Sequence, residues 1–460
     1  MSTDKILKKE RKYFGTDGVR GVASVPPLDP ETLVRFGKAI AKIFLRDKKK
    51  HRILIGKDTR LSGYMIETSL AAGITSMGAD VWLVGPLPTP GVAYLTKSMR
   101  ADAGVVISAS HNPFEDNGIK IFGADGYKLA DALESEIESM LEPNGVARES
   151  AEPGEIGKAA RIDDASGRYT VYLKSCFPRE LSLEGINIGF DCANGAGYIV
   201  GPQTMTELGA EVISRGTAPN GRNINAGFGS LYPDIVRKLV LENNLDIGIA
   251  LDGDADRAIL VDDKGTVIDG DMVLAICALD LKKRGLLKSN RVVATVMSNL
   301  GLEKFLSFHG ITLTRAQVGD RYVLEEMLKS GAELGGEQSG HSIFADMSTT
   351  GDGILTALQV LAIMQRENKP LSELCAGFVR FPQKIINVPV SHKPDLESVD
   401  AVQTIIRQKE KELKDTGRIL VRYSGTENKA RVMVECESED GCKKHATDVA
   451  QVIERALGSL

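Results

Sequence analysis

The sequence predicts an α/β protein in which three related mixed α/β domains are followed by a smaller C-terminal α+β domain. Short apolar strands recur along most of the chain, and each is followed by a small or polar turn and then a helical pattern. Continuous apolar strands that alternate with helices are typical of buried sheets. The last part of the chain differs, because two strands form a hairpin between two helices. The length of 460 residues agrees with several domains, since about 150 residues per domain is typical.

Each α/β unit is marked by a strand and the amphipathic helix that follows it. The strands are predicted within 52–60, 186–197 and 291–301, and the helices over 65–77, 198–208 and 302–309. The last domain has a predicted helix over 398–413, strands over 417–423 and 429–435, and a helix over 441–457. Polar stretches serve as boundaries, which gives domains at 1–160, 161–261, 262–378 and 379–460.

Charge and cysteine content argue against several classes of protein. The net charge is only -5, so bulk electrostatics do not favour nucleic acid or an acidic membrane as a partner. None of the six cysteines forms a C-x-x-C pair, which argues against a zinc or redox motif. The first residues lack the apolar core of a signal peptide. No apolar run reaches the ~20 residues that span a bilayer. We therefore expect a cytoplasmic protein.

The first motif that could carry chemistry is ISASHNPFEDNGIK, residues 107–120. An apolar run ends there in a polar, turn-forming cluster, so its side chains should lie at the rim of a sheet, where α/β proteins bind ligands. Ser110 is a candidate nucleophile, because a serine reacts when a neighbour takes its proton or when it already carries phosphate. Lys120 is a candidate for proton transfer. A plain turn in which His111 is structural is the alternative.

The second motif places Asp252, Asp254 and Asp256 at alternate positions between two apolar runs. Alternate side chains of an extended segment point the same way, so the carboxylates should converge. Converging carboxylates repel one another unless a cation compensates, and a hard divalent ion is the natural solution. A solvated acidic turn is one alternative. A calcium EF-hand is another, but Arg257 stands where that loop needs glycine. Mg²⁺ fits the pattern better.

Two further motifs are weaker on their own. LGGEQSGHSIF, residues 334–344, places Glu337, Ser339 and His341 in a row that could face a polyol, although a glycine-rich connector is an equal explanation. VRYSGTENKARV, residues 421–432, gathers two guanidiniums, two hydroxyls and loop amides in one hairpin. Such a set suits a dianion, and an ordinary turn with surface arginines is the alternative.

Three shorter elements complete the set. FGTDGVRG offers Arg20 as a clamp for phosphate, and VGDRYVLEE contains Asp320 and Arg321. GKDTR, residues 56–60, could bind a ligand, but a turn between a strand and a helix explains it equally well.

Together these strings resemble the alpha-D-phosphohexomutase superfamily. The resemblance extends from Tyr13 to about Glu435, with four separate motifs in the family's order. Within the superfamily, the strings are most similar to those of mutases that act on glucosamine phosphate. The distinguishing strings are YFGTDGVRG, SASHNPFEDNGIK, VGDRYVLEEM, GGEQSGH, TTGDGILTALQ and RYSGTEN.

The resemblance implies four domains around a central active-site cleft, with a phosphoryl group carried on Ser110. It implies one Mg²⁺ per chain, with ligands from Ser110 as phosphoserine, Asp252, Asp254 and Asp256. The implied catalytic residues are Ser110, Lys120, His111, Arg20 and His341. The implied substrate-binding residues are Arg257, Asp320, Arg321, Glu337, Ser339, Arg422, Ser424, Gly425, Thr426 and Arg431. The last five of these would hold the phosphate that is not reacting.

The implied reaction interconverts glucosamine 6-phosphate and glucosamine 1-phosphate, with glucosamine 1,6-bisphosphate as intermediate and activator. A hexosamine phosphate is the expected partner, and the chain is expected to be a monomer or a homodimer. Two alternatives are a related mutase of glucose or mannose phosphates, and a catalytically silent relative that only binds sugar phosphates or metal. The silent relative is disfavoured because Ser110, Lys120 and the three aspartates are all present. In two places the chain departs from its relatives. Leu231-Tyr232 replaces the usual Thr-His, and Asn428 replaces a proline.

Overall fold

The computed structural model describes residues 12–15, 17–45, 49–142, 145–424 and 427–458. The chain forms two compact units. Unit 1 comprises Met1–Thr295 and Ala316–Ala376, and unit 2 comprises Val296–Arg315 and Gly377–Leu460. In the part of the chain that the structure describes, no helix has both the length and the apolar character needed to cross a lipid bilayer.

The first sheet of unit 1 has seven strands. They are β1 (Phe14–Gly15), β2 (Gly18–Val22), β3 (Arg52–Lys57), β4 (Asp80–Pro86), β5 (Ala103–Ile107), β6 (Asp116–Gly123) and β7 (Ala159–Arg161). Their order is β1-β2-β6-β5-β3-β4-β7. Strands β5, β3, β4 and β7 are parallel, whereas β6 and β2 are antiparallel to their neighbours. The helices of this region are α1 (Pro30–Phe44), α2 (Ser62–Ser76), α3 (Thr89–Ser98) and α4 (Asp131–Met140).

Helix α1 shows how local sequence fixes an element of this layer. Its N-cap is Asp29, whose carboxylate accepts the Thr32 N–H at 3.0 Å, and Pro30 follows at a position where a missing N–H costs nothing. The buried face of α1, which includes Phe36 and Ile40, joins the core that also contains residues of β3 and β5. That core holds the ends of β3 and β5 in place, and both strands run directly into polar turns.

The second sheet contains β8 (Asn187–Asp191), β9 (Glu211–Arg215), β10 (Ile247–Leu251), β11 (Ala258–Asp262) and β12 (Val267–Ile268). The order is β12-β11-β10-β8-β9, and the helices are α5 (Ala165–Ser175), α6 (Val200–Glu207) and α7 (Asp234–Asn243). Strands β10 and β11 are antiparallel with Leu251 opposite Ala258. Every residue of both strands is buried, so the six-residue loop between them is fixed at both ends.

The third layer is built from shorter strands around a central helix. Its elements are α8 (Gly270–Lys283), β13 (Arg291–Thr295), α9 (Leu300–Phe308), β14 (Thr312–Ala316), α10 (Asp320–Ser330), β15 (Leu334–Gly336), β16 (Ser342–Phe344), α11 (Gly353–Glu367) and α12 (Leu371–Leu374). Helix α9 and residues 312–315 of β14 belong to unit 2. Within unit 1, β13 is parallel to β15, and β15 is antiparallel to β16. Helix α11 is buried over nearly its whole circumference, which is typical of a core helix.

Unit 2 is centred on a three-stranded antiparallel sheet. Its further elements are β17 (Gln383–Pro389), α13 (Asp400–Leu413), β18 (Gly417–Tyr423), β19 (Lys429–Cys436) and α14 (Glu439–Leu457). The order is β17-β19-β18. The predicted hairpin and both predicted helices are therefore confirmed. The sequence analysis missed β17, because most of its side chains are exposed and its apolar pattern is weak.

Candidate active site

The loop that carries Ser110 connects β5 to β6, and its first three residues, 108–110, are buried. Ser110 is 1% exposed and has a left-handed backbone with φ of 52°, which is uncommon for a residue other than glycine. Its backbone N–H donates to Ser108 Oγ at 2.9 Å, and its own hydroxyl donates to Asp252 Oδ2 at 2.6 Å. The candidate nucleophile therefore faces the predicted metal-binding loop.

The predicted convergence of Asp252, Asp254 and Asp256 is confirmed, although its local cause differs from the prediction. The three side chains are buried, and one ligand oxygen of each lies within 4.8 Å of the others. They lie on a turn and not on an extended segment, because Ala255 has φ of 58°. Gly253 allows this turn to approach the Ser110 loop, since a Cβ there would lie 2.5 Å from Ser110 O.

The donor set of this cluster fits a divalent cation. Burial, followed by repulsion from Asp256 and Asp254, raises the pKa of Asp252 well above its usual range. One oxygen of Asp254 and one of Asp256 accept no hydrogen bond from the described residues, although both atoms are buried. Buried carboxylate oxygens that accept no hydrogen bond are costly unless a further cation contacts them. Hard oxygen ligands of this kind suit Mg²⁺.

Lys120 lies against the same cluster from β6. Its Nζ is 2.9 Å from Asp254, 3.4 Å from Asp256 and 3.1 Å from Asp17. Burial alone would lower the pKa of Lys120, but Asp17 and Asp254 raise it well above its usual range. The ammonium in turn holds the pKa of Asp254 below its usual range against the effect of burial. In this arrangement Lys120 carries its proton.

His111 lies on the other side of the nucleophile. Its Nδ1 is 3.4 Å from Ser110 Oγ and 3.3 Å from Arg257 Nη1. Burial, followed by the charges of Arg257 and Arg20, lowers the pKa of His111 to about 4, so the imidazole is neutral near pH 7. Because a guanidinium only donates hydrogen bonds, the contact with Arg257 leaves Nδ1 as the acceptor of that bond.

A cavity of about 400 Å³ in unit 1 is lined by seven of the predicted residues. The predicted residues that line it are Arg20, His111, Asp256, Arg257, Asp320, Glu337 and His341. Tyr13 and Asp17 line it too, although the sequence analysis did not select them. Asp17 accepts from Arg20 at 2.5 Å and also pairs with Lys128. The FGTDGVRG string contained Asp17, so an acidic residue three positions before a predicted phosphate-binding arginine was the available signal.

On the far side of this cavity, backbone contacts orient His341 and Glu337. His341 Nε2 accepts the Gly351 N–H at 3.2 Å, and Glu337 Oε1 accepts the Gly319 N–H at 3.1 Å. Gly351 has no substitute here, because a Cβ would lie 2.3 Å from the His341 ring. Ser339 Oγ donates a hydrogen bond to Glu337 Oε2 at 3.4 Å.

Of the neighbouring residues Asp320 and Arg321, only Asp320 lines the 400 Å³ cavity. Asp320 lines the cavity and pairs with Lys128, and it lies 3.6 Å from His341 Nε2. Arg321 instead lines a neighbouring cavity of about 420 Å³ and makes ion pairs with Asp131 and Glu134. The role of Arg321 in binding substrate remains a prediction.

Unit 2 carries its own cavity of about 410 Å³, lined on one face of its sheet by Arg422 and Arg431. The two residues are direct cross-strand partners, and burial, followed by the charge of Arg431, lowers the pKa of Arg422. Ser424 is buried beside them, and its Oγ accepts the Glu427 N–H at 3.3 Å. The other two predicted residues, Gly425 and Thr426, lie outside the described residues.

Four family models match the chain, and all four belong to phosphoglucomutase/phosphomannomutase. The three alpha/beta/alpha domains match residues 11–146 (domain I), 168–265 (domain II) and 269–381 (domain III), and the C-terminal domain matches residues 385–452. These matches confirm the predicted fold class of three related α/β domains and a distinct C-terminal domain.

Curated relatives resemble the chain over nearly its whole length. A phosphoglucosamine mutase from Geobacter sp. (strain M21) is 56% identical over 448 residues, which are 97% of this chain and 99% of that protein. The phosphoglucosamine mutase of Syntrophotalea carbinolica is 55% identical over 98% of both chains. The phosphoglucosamine mutase of Myxococcus xanthus is 52% identical over 98% of this chain and 99% of its own length.

Solved structures share the fold at lower identity. A phosphoglucomutase/phosphomannomutase family protein from Burkholderia thailandensis has a TM-score of 0.80 at 21% identity, covering 96% of this chain and 97% of its own. The Aspergillus fumigatus N-acetylphosphoglucosamine mutase in complex with GlcNAc-6P and magnesium has a TM-score of 0.64 at 18% identity, covering 97% and 96%.

Proposed function

The chain belongs to the phosphoglucomutase/phosphomannomutase family, and we propose that it interconverts glucosamine 6-phosphate and glucosamine 1-phosphate. The observation that carries the chemistry is the 2.6 Å contact of Ser110 Oγ with Asp252 in the cluster of three buried aspartates. The choice of sugar is supported by the relatives named phosphoglucosamine mutase, which are 52–56% identical over nearly the full chain.

In the proposed reaction, Ser110 begins as a phosphoserine. A free hydroxyl of the sugar phosphate attacks the phosphorus and gives its proton to His341. The bond from phosphorus to Ser110 Oγ breaks, and Ser110 Oγ takes a proton from Lys120. The product of this half-reaction is glucosamine 1,6-bisphosphate. After the bisphosphate reverses its orientation, Ser110 Oγ attacks its other phosphorus, and the bond from that phosphorus to the sugar oxygen breaks. The two proton transfers run in reverse, and the phosphoserine is restored. Such transfers depend on position and on neutralised charge more than on covalent work by the protein.

The residues around Ser110 have distinct proposed tasks. Lys120, which carries its proton, donates to the oxygen that loses phosphate. His111, neutral near pH 7, borders Ser110 Oγ, and His341 is the candidate for proton transfer across the cavity. Arg20 and Arg257 offset the charge of the phosphoryl group, and Glu337 binds sugar hydroxyls.

The three aspartates and an oxygen of the phosphoserine would hold Mg²⁺. When bound there, Mg²⁺ supplies charge neutralisation for the transferring phosphoryl group. We assign the phosphate that is not reacting to the residues of unit 2, Arg422, Ser424, Gly425, Thr426 and Arg431. Two adjacent guanidiniums offer the forked donors that a dianionic phosphate accepts. The product would enter amino-sugar synthesis for cell-envelope precursors in the cytoplasm, and the enzyme would act as a monomer or a homodimer.

The departure at Leu231-Tyr232 bears on the choice between glucosamine phosphate and the phosphates of glucose or mannose. Leu231 is 56% exposed and Tyr232 is 48% exposed, and neither lines the 400 Å³ cavity of unit 1. The departure therefore lies on the surface, and it gives no reason to prefer another sugar.

The test is to compare turnover of the 1-phosphates of glucosamine, glucose and mannose, each started with its own 1,6-bisphosphate. We expect kcat/KM for glucosamine 1-phosphate to be higher by at least about tenfold, the scale that a few correctly placed polar contacts provide. The double variant Leu231→Thr, Tyr232→His is the matched control and should keep the same ranking. Equal or faster turnover of glucose or mannose 1-phosphate would overturn the proposed substrate.

A further inference from the structure

The GKDTR segment, residues 56–60, ends in a charged side chain that is fully buried near the nucleophile. Arg60 lies in the turn between β3 and α2, and 0% of it is exposed. It is not one of the residues that line the 400 Å³ cavity of unit 1, so it does not meet the sugar there. Burying a guanidinium is expensive unless it is paired and hydrogen-bonded, and its contacts explain why it is tolerated.

Arg60 makes contact with both the side chains and the backbone of the Ser110 loop. Its Nη1 pairs with Asp58 and lies 3.5 Å from Ser108 Oγ. Its Nη2 donates to two backbone carbonyls, Ser110 O at 3.1 Å and Asn112 O at 2.6 Å. The planar guanidinium of Arg60 thus binds the Asp58 carboxylate through Nη1 and two carbonyls of the Ser110 loop through Nη2.

A second residue holds the same two carbonyls from the second α/β domain. Asn225 Nδ2 donates to Ser110 O and to Asn112 O, both at 2.9 Å. Asn225 is itself 8% exposed, and its N–H donates to Ala193 O at 2.8 Å. Each of the two carbonyls therefore accepts from Arg60 and from Asn225.

The remaining contact fixes the backbone of Ser110 from the N-terminal side. Ser108 Oγ donates to Asp58 Oδ2 at 2.6 Å and accepts the Ser110 N–H at 2.9 Å. Both the N–H and the carbonyl of Ser110 are thus occupied by Arg60, Asn225 and the pair Ser108–Asp58. These bonds surround a residue with φ of 52°, a conformation that persists only where its surroundings determine it.

We infer that Arg60 and Asn225 are positioning residues that hold Ser110 in its left-handed conformation, so that Oγ faces the metal-binding loop and is aligned for transfer. This inference rests on the proposed phosphoserine mechanism and deepens it. Among the described residues, the guanidinium of Arg60 makes hydrogen bonds with Asp58, with Ser108 and with the two carbonyls of the Ser110 loop. It therefore acts through Ser110 and never through the substrate. The assignment gives a task to GKDTR, which the sequence analysis left open between a ligand site and a turn.

The first variant is Arg60→Lys, which keeps the charge beside Asp58 but has no second arm for the two carbonyls. We expect kcat to fall by roughly tenfold to a hundredfold, since a nucleophile displaced by about 1 Å can lose that much rate. KM for glucosamine 1-phosphate should stay within about twofold of wild type, because Arg60 does not line the cavity. Asn225→Asp removes both donor hydrogens from a side chain of nearly equal size. It should also lower kcat with little change in KM, and it replaces Arg60→Lys as the test variant if that protein does not fold.

The direct readout is the rate of a single transfer. Wild type and variants are phosphorylated with glucosamine 1,6-bisphosphate and mixed with glucosamine 1-phosphate, and loss of phosphate from Ser110 is followed by rapid quench and mass measurement. The transfer rate should fall by the same factor as kcat. Glu67→Gln is the control, because Glu67 forms another buried ion pair, with Lys57, and has no contact with the Ser110 loop among the described residues. Its kcat should equal that of wild type.

Two results would overturn the inference. One is an Arg60→Lys or Asn225→Asp enzyme with kcat and transfer rate within twofold of wild type. The other is activity that falls in all three variants only in proportion to the folded fraction, which would make Arg60 a structural residue. A wild type that neither turns over nor accepts phosphate on Ser110 would instead refute the proposed function, and the positioning role with it.

Discussion

The two predicted phosphate sites of this protein differ in how far their charged residues are paired with groups of opposite charge. Around Ser110 in unit 1 the charged groups are buried and paired, and Asp254 and Asp256 share the ammonium of Lys120. In unit 2, Arg422 and Arg431 stand side by side with little compensation. Among the described residues Arg422 has no ion-pair partner, and the carboxylate nearest to Arg431 is that of Glu427 at 3.7 Å.

The difference follows from what each site has to do. A transfer site must fix its reacting atoms before the substrate arrives, so its groups hold one another in place and leave buried carboxylate oxygens for a cation. A site that only grips a phosphate can leave its positive charge uncompensated, because the ligand supplies the missing anion. Perturbing the first site should therefore affect the rate, and perturbing the second should affect binding.

The largest effect should come from Ser110→Ala. Turnover should fall by roughly a thousandfold or more, the scale expected when a covalent nucleophile is removed. Binding of the sugar phosphate should change little, since unit 2 is intact. Ser108→Ala, which removes a neighbouring hydroxyl but leaves the nucleophile, should be far milder. Turnover by Ser110→Ala within tenfold of wild type would end the phosphoserine proposal.

Removal of the metal should have the next largest effect on turnover. Excess chelator should abolish turnover, and added Mg²⁺ should restore it. Asp254→Asn should raise the Mg²⁺ concentration needed for half-maximal rate by roughly tenfold or more, because one formal charge leaves an oxygen-ligand site. Full activity in excess chelator would show that the three aspartates form no catalytic metal site.

The proposed binding of phosphate by unit 2 is tested by Arg422→Ala. Losing a charge-assisted hydrogen bond costs about 1.5–3 kcal/mol, so binding of the substrate and of the bisphosphate should weaken by roughly tenfold to a hundredfold. The bisphosphate should also escape more often, which would leave enzyme without phosphate, so progress curves should stall and recover on adding glucosamine 1,6-bisphosphate.

Lys429→Ala is the matched control for that experiment. Lys429 is also a cation of the same hairpin, but it pairs with Glu427 and does not line the cavity. Its removal should leave affinity nearly unchanged. If Arg422→Ala kept wild-type affinity and showed no response to bisphosphate, the segment 421–432 would be only a hairpin turn.

The last prediction concerns stability and not activity, at a buried carboxylate of unit 1 that has no ion-pair partner among the described residues. Burial raises the pKa of Asp352 to about 6. The folded state therefore binds more protons than the unfolded state between about pH 4 and pH 6, and stability falls as pH rises through that window. Asp352→Asn cannot ionise, so its stability relative to wild type should rise from pH 4 to pH 7 by at most about 3 kcal/mol. Urea unfolding at several pH values measures this, and identical pH profiles for the two proteins would contradict it.

Where one face of an element is buried, sequence reasoning succeeded. The strand predicted over 429–435 is β19, which is mostly buried, and the helix predicted over 398–413 is α13, Asp400–Leu413. Strand β17 escaped because most of its side chains face solvent. Apolar periodicity reports burial, so an element without a buried face leaves little trace in the sequence.

The candidate site was predictable where its residues are close in sequence. The three aspartates were found through their spacing, although a turn and not a strand brings them together. The pairing of Lys128 with both Asp17 and Asp320 was not predictable. It joins segments far apart along the chain, and no local pattern encodes such a contact.

The central claim is that Ser110 carries the phosphoryl group that the enzyme transfers. Its most direct test is the intact mass of wild type and Ser110→Ala after each is incubated with glucosamine 1,6-bisphosphate and Mg²⁺ and then desalted. The account predicts one added phosphoryl group on wild type, lost when glucosamine 1-phosphate is supplied, and none on Ser110→Ala. A phosphoryl group that remains on Ser110→Ala, or wild type that turns over without ever carrying one, would contradict it.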